Sequence, residues 1–205
     1  MIGGLRLKQG SRTEWNGTTR DTVLVGLQAI GKVAGQAARL TSIDLSGCGL
    51  GAAGLTALAH SADWAEAALR VLDLSGNLIS GTRVQGQKEN RNVTLDIELH
   101  GLLQLAERLL AASSMLEHLD LSECQLGPSA VATLVAAVDW PGCRLLSLNI
   151  LKNPIEHGGM AALLGAVQVR VSHQRMPAAY RFALPPSATA FDRGSAVCRA
   201  RPSRR

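Results

Sequence analysis

The side chains best able to do chemistry in this 205-residue chain are its four cysteines and five histidines. Cys48, Cys124, Cys143 and Cys198 form no CxxC pair, and no histidine stands at ligand spacing from them. Structural zinc and the disulfide frameworks of small domains need such clusters, so neither is indicated, and no metal or cofactor is expected. A thiol nucleophile needs a neighbouring base, and none recurs beside Cys48 or Cys124. His60, His100, His118, His157 and His173 are dispersed; His100 and His157 each precede a glycine at an expected helix start, which suits a turn or capping role. The segment GCGLGAAG at 47–54 is the nearest approach to a phosphate loop, but no lysine follows it and neither glycine-loop pattern is met. Its glycines fit a turn that demands unusual backbone angles. With no nucleophile, base and orienting group in convergent positions, the chain is expected not to be an enzyme. Asn16-Gly-Thr18 and Asn92-Val-Thr94 match the glycosylation acceptor pattern, but their 76-residue separation points to shared ancestry of two loops.

That separation belongs to a wider periodicity. Four segments share the apolar template LxxLxLxx(N/C)xL: LTSIDLSGCGL from Leu40, LRVLDLSGNLI from Leu69, LEHLDLSECQL from Leu116 and LLSLNILKNPI from Leu145. The starts lie 29, 47 and 29 residues apart. Within each, period-two alternation (Ile43 and Leu45, Leu72 and Leu74, Leu119 and Leu121, Leu148 and Ile150) marks a short strand with one face inward. An Ala- and Leu-rich stretch at helical spacing follows each strand. One strand–turn–helix unit cannot bury its apolar side alone, whereas a stack can. The ninth position alternates Cys48, Asn77, Cys124, Asn153. A buried Asn amide there can satisfy backbone groups of the turn, and Cys fills the same small slot as a near-apolar residue. Leu40 maps onto Leu116, Asp63-Trp64 onto Asp139-Trp140 and Asn77 onto Asn153, so the true unit is a pair of coils of 76 residues. Trp64 and Trp140 are expected to close gaps between neighbouring helices.

The repeat length and the Cys/Asn alternation resemble ribonuclease-inhibitor-like leucine-rich-repeat proteins over about residues 20–167. The resemblance implies an α/β solenoid, a short right-handed horseshoe segment with parallel strands on the concave face and helices on the convex face. It further implies a scaffold that binds a protein partner through strand-face residues, here Ser42, Asp44, Ser46, Arg70, Asp73, Ser75, His118, Asp120, Ser122, Ser147, Asn149 and Leu151. Stacked carboxylates at Asp44, Asp73 and Asp120, with Glu117 and Glu123 beside them, would suit a basic partner. The 47-residue spacing places a polar insert at about 80–99, whose flanks TRVQG and VTLDIEL could pair as a hairpin. It offers a second contact surface.

Residues 1–19 read as a partial repeat or insert loop, with an alternative register that makes Ile2, Leu5 and Leu7 a fifth strand. Residues 168–205 carry eight Arg against Asp192 alone, a net of +7, while the remainder has 13 basic and 15 acidic residues, a net of −2; together these give the chain's +5. The tail, with Pro177, Pro185, Pro186 and Pro202 and no apolar period, is expected to be disordered. It is the one element that could bind nucleic acid, as an alternative function; a structural spacer is the other. Aromatics make up only 3% of the chain, which suits thin layers of small aliphatic side chains. No run of about 18 apolar residues occurs, so no membrane association is expected and the protein is placed in the cytoplasm or nucleus. Oligomeric state is left open.

Overall fold

The computed structural model describes residues 3–6, 24–36, 39–85, 92–173 and 197–199. The elements run β1 (Gly3–Arg6), α1 (Leu24–Gln36), β2 (Leu40–Asp44), α2 (Ala52–His60), β3 (Val71–Asp73), β4 (Arg83–Gln85), β5 (Asn92–Thr94), α3 (His100–Leu109), β6 (His118–Asp120), α4 (Pro128–Ala137), β7 (Ser147–Asn149), α5 (Glu156–His173) and β8 (Val197–Arg199). One sheet has the order β1-β2-β3-β6-β7-β8, and β4-β5 form a separate two-stranded ribbon. Within the six-stranded sheet, every pairing from β1 to β7 is parallel. Each crossover between the four template strands carries a helix, which covers the inner face of the sheet.

Register follows the template. Ile43, Leu72, Leu119 and Leu148 lie side by side, and Leu45, Leu74, Leu121 and Ile150 continue the inward row. The eleventh-position residues Leu50, Ile79, Leu126 and Ile155 are also buried and join the same core. Each such side chain contributes about 1.5–3 kcal/mol when removed from water. A one-residue slip would turn a whole row into solvent.

Beyond the strands the backbone ladder continues into the turns. Leu45 N–H donates to Asp73 O at 2.8 Å and Gly47 N–H to Ser75 O at 2.7 Å. Leu74 and Gly76 repeat this on Asp120 and Ser122, and Leu121 and Glu123 on Asn149 and Leu151. The eighth template residue turns left-handed in every coil. Gly47, Gly76, Glu123 and Lys152 have φ of 59°, 70°, 59° and 59°. The two Cys coils turn again at the tenth position, where Gly49 and Gln125 have φ of 71° and 55°.

Below this ladder the two asparagines bridge consecutive coils. Asn77 Nδ2 donates to Leu45 O and Leu74 O at 2.9 and 2.8 Å, and its Oδ1 accepts from Leu50 N–H at 2.9 Å. Asn153 does the same one pair later, with Leu121 O, Ile150 O and Leu126 N–H at 2.8, 2.9 and 3.0 Å. Each Asn therefore fastens its own coil to the Cys coil before it. That is why the sequence repeats by pairs: 40–79 is one fastened pair and 116–155 the other. Helix packing agrees, being most extensive for α2 on α3 and α4 on α5 and thinner for α3 on α4. Within the first pair the backbones approach so closely that a Cβ on Gly101 would lie 2.5 Å from Ala52 O.

Trp64 is buried and Trp140 partly so, and their indole N–H groups donate to Ala59 O and Val135 O at 2.9 and 2.8 Å. Both satisfy a carbonyl in the last turn of the preceding helix.

At the N-terminus β1 pairs parallel with β2 and sets Leu5 opposite Ile43, the register expected of a fifth strand; residues 7–23 lie outside the described residues. At the other end α5 continues through His173, past the tail boundary placed at 168, and Val197–Arg199 pairs antiparallel with β7. The rest of the segment expected to be disordered lies outside the described residues. No helix among the described residues is long and apolar enough to cross a membrane.

Asn77→Ala strips partners from one amide and two carbonyls in a buried turn. It should lower unfolding free energy by about 2–3 kcal/mol, read by denaturant titration. Cys124→Ala, which removes only a weak donor and a small volume, should cost about 1 kcal/mol. Equal losses would contradict the bridging role of the amide.

Candidate interaction surface

Three rows of side chains form the outer strand face. The first is Ser42, Val71, His118 and Ser147, the second Asp44, Asp73, Asp120 and Asn149. The third, one residue past the strands, is Ser46, Ser75, Ser122 and Leu151. Eleven of the twelve expected contact residues thus stand in these rows. The exception is Arg70, which precedes β3 and forms an ion pair with Glu117 of the next coil. Its place on the face belongs to Val71, a residue the sequence reading passed over. Val71 is 37% exposed, among the few large apolar side chains open to solvent in the described residues. The shared register of Ser42, Val71 and His118 was the signal that identifies it, masked by the charge next door.

The carboxylates are not the free column expected. Asp44 Oδ1 accepts from Ser46 N–H at 3.0 Å and from its hydroxyl at 2.7 Å. Asp73 Oδ1 accepts from Ser75 N–H at 2.9 Å, and Asp120 Oδ1 from Ser122 N–H and hydroxyl at 2.8 and 2.6 Å. Asn149 Oδ1 does likewise with Leu151 N–H at 3.1 Å. Each is an Asx turn that sets the backbone for the left-handed eighth residue. Asp120 Oδ2 also accepts from Asn149 Nδ2 at 2.7 Å. The row is therefore built into the turns, half-buried and fixed in position. On its flanks Arg70 pairs with Glu117 and Lys152 with Glu123, so the negative charge of the described face centres on the Asp row.

A second surface comes from the insert. Arg83, Val84 and Gln85 pair antiparallel with Thr94, Val93 and Asn92, the hairpin expected around QKENRN. All three residues of β5 are exposed. Its root is held by polar groups that the sequence reading missed. Asp96 Oδ1 accepts from Gly127 N–H at 2.8 Å and Oδ2 from Ala130 N–H at 2.9 Å. Asp96 thus caps α4, whose own N-cap Gly127 has no side chain to do so, and faces the positive end of that helix. Thr82 Oγ1 donates to Gln125 O at 3.0 Å, and Ser80 Oγ lies 3.0 Å from it. Gly81 turns left-handed with φ of 68°, against Glu98. The insert sits at the junction between the two fastened pairs, where no Asn bridge exists, and staples the second coil to the third. A capping residue 31 positions upstream leaves no local trace in sequence.

Cys124 Sγ donates to Leu74 O at 3.3 Å, and burial, assisted by the Asp120 and Asp73 charges, pushes its thiol from 9.0 up to about 12 against the opposing amides of Asn77 and Gly76. No group of three His, Cys, Asp or Glu among the described residues could hold a metal ion.

Residues 39–59 and 112–135 match one family model, described as Leucine Rich repeat, and residues 68–86 match another, described as Leucine Rich Repeat. No curated protein matches the chain. With the register above, these matches define an α/β leucine-rich-repeat solenoid, an architecture whose extended strand face generally serves protein–protein contact.

Asp96→Ala should cost about 1–2 kcal/mol of stability, and Asp96→Asn less, by denaturant titration. An unchanged midpoint for the alanine would remove the staple. For Cys124, a folded-state value above the unfolded one means the thiol's contribution is intact below pH 9 and lost as pH rises toward 12. Alkylation at pH 8 should therefore leave Cys124 unmodified until the protein unfolds, as peptide mass mapping would show.

Proposed function

We propose that the chain is a protein-interaction scaffold that takes a basic partner on its strand face, centred on Asp73 and Asp120, with the β4–β5 hairpin as a flanking contact. The observation that carries this reading is the fixed Asp row. Parallel strands stand about 4.8 Å apart. Like charges at roughly that spacing repel by about 1 kcal/mol in water and about 3 kcal/mol under protein-surface screening. The Asx turns hold the carboxylates there, so the face is preorganised for a cation and loses little entropy when it binds one. Val71 beside the row supplies an apolar contact, and Ser42, Ser75, His118 and Ser147 supply hydrogen-bonding groups.

Paired Cys and Asn coils also support the ribonuclease-inhibitor-like subtype. Thiols at Cys48, Cys124 and Cys143 suit a reducing compartment, and we place the protein in the cytoplasm.

Asn149 indicates the variant to use, since an amide oxygen serves the same turn. Asp44→Asn, Asp73→Asn and Asp120→Asn together should keep the fold while lowering retention of the partner about tenfold, or about 1.4 kcal/mol, in quantitative affinity capture. Undiminished capture would reject the strand face as the binding surface.

A further inference from the structure

Among the described residues one histidine stands on the strand face. His60, His100, His157 and His173 lie in helices α2, α3 and α5. His118 instead opens β6, exposed to solvent between Val71 of β3 and Ser147 of β7. Because side chains alternate between the two faces of a strand, it shares the outer face with Asp120, about 6.6 Å further along the same backbone. Asp73 stands one strand over and lies on the diagonal, at about 8 Å between backbone positions.

Each strand beside His118 contributes differently to its charge environment. On its own strand, Glu117 holds Arg70, and Asp120 accepts hydrogen bonds from Ser122 and Asn149, all uncharged donors. On β3, Asp73 accepts from the Ser75 amide, and Arg70 is the arginine taken by Glu117. β7 presents Ser147 and Asn149, neither of them charged. Past the strands, Glu123 holds Lys152. The flanking cations are therefore offset by acids of their own, and the charge around His118 is that of Asp73 and Asp120. Histidine is the side chain that ordinarily changes charge between about pH 5 and 8.

We propose that protonation of His118 weakens the hold of the strand face on a basic partner, so that capture is favoured near neutral pH and release in mildly acid conditions. This rests on the reading of the face as a surface for basic partners. A neutral imidazole beside Val71 leaves Asp73 and Asp120 to attract the partner's cation. An imidazolium at the same place offsets one of these two carboxylates and repels the cation as well. At physiological ionic strength charges on a surface are screened beyond about 8 Å. The effect is therefore local to Asp73 and Asp120, since Asp44 stands on β2, two strands from β6 and about 10 Å away.

The test is anisotropy titration of a rhodamine-labelled hexa-arginine peptide against the full chain at constant low ionic strength, at about pH 7.5 and about pH 5.5. Guanidinium groups stay charged at both, so any change in affinity belongs to the protein. The unaltered chain should bind about fivefold more weakly at the lower pH. His118 is exposed, so substitutions there should leave the fold intact. His118→Gln should bind equally at both pH values, and His118→Lys should bind at both as weakly as the unaltered chain does in acid. An equal loss in His118→Gln, or no loss in the unaltered chain, would overturn the role of His118 while leaving the face a basic-binding surface. Absence of binding at both pH values would overturn that reading and the proposal with it. Binding that survives Asp73→Asn combined with Asp120→Asn would place the peptide elsewhere and overturn both.

Discussion

Everything in this molecule hangs on a buried amide bridging two coils of backbone. Parallel strands of three to five residues are too short to hold a sheet by themselves. At the end of each strand the chain must also swing back toward its helix, which takes carbonyls and amides out of the ladder. Asn77 and Asn153 satisfy those groups from both coils at once. Once a pair is fastened in this way, the helices behind it can approach closely enough to exclude anything larger than glycine at position 101. The Asx turns in front are then set as well.

The junction between pairs is solved differently. Cys124 occupies the slot and reaches across the junction with only one weak bond, to Leu74 O, its other going to Ser122 O of its own coil, which leaves the second and third coils less firmly joined. The insert enters at this junction. Asp96 and Thr82 tie its root to the helix and turn of the third coil, with bonds that span 31 and 43 residues, and Ser80 braces Thr82. What looks in sequence like an interruption of the repeat is the part that carries the solenoid across its weakest joint, while the exposed β5 remains outside as a surface.

Most of the fold could be read from Leu spacing, because period-two alternation and the Cys/Asn position each correspond to a physical requirement that recurs four times. The role of Asn77 was legible for the same reason. Features that occur once were not. Asp96 caps a helix far along the chain, and its partners Gly127 and Ala130 carry no mark of it. Val71 was hidden by Arg70, since charge drew the eye from register. The Asp row was located correctly but given only an outward role, because a column of carboxylates in sequence does not reveal that each accepts a turn amide. Antiparallel β8 breaks the repeat altogether and has no periodic signal.

A binding face built this way is stiff, and its stiffness comes from the same bonds that make the fold cooperative. Native-state hydrogen exchange tests that link most directly. The amides of Leu50 and Leu126, which donate to the bridging Asn side chains, should exchange only through global opening, with the same free energy as the ladder amides of Leu45, Leu74 and Leu121. Exchange of Leu50 and Leu126 at the rate of surface turns, while the ladder amides stay protected, would contradict the account.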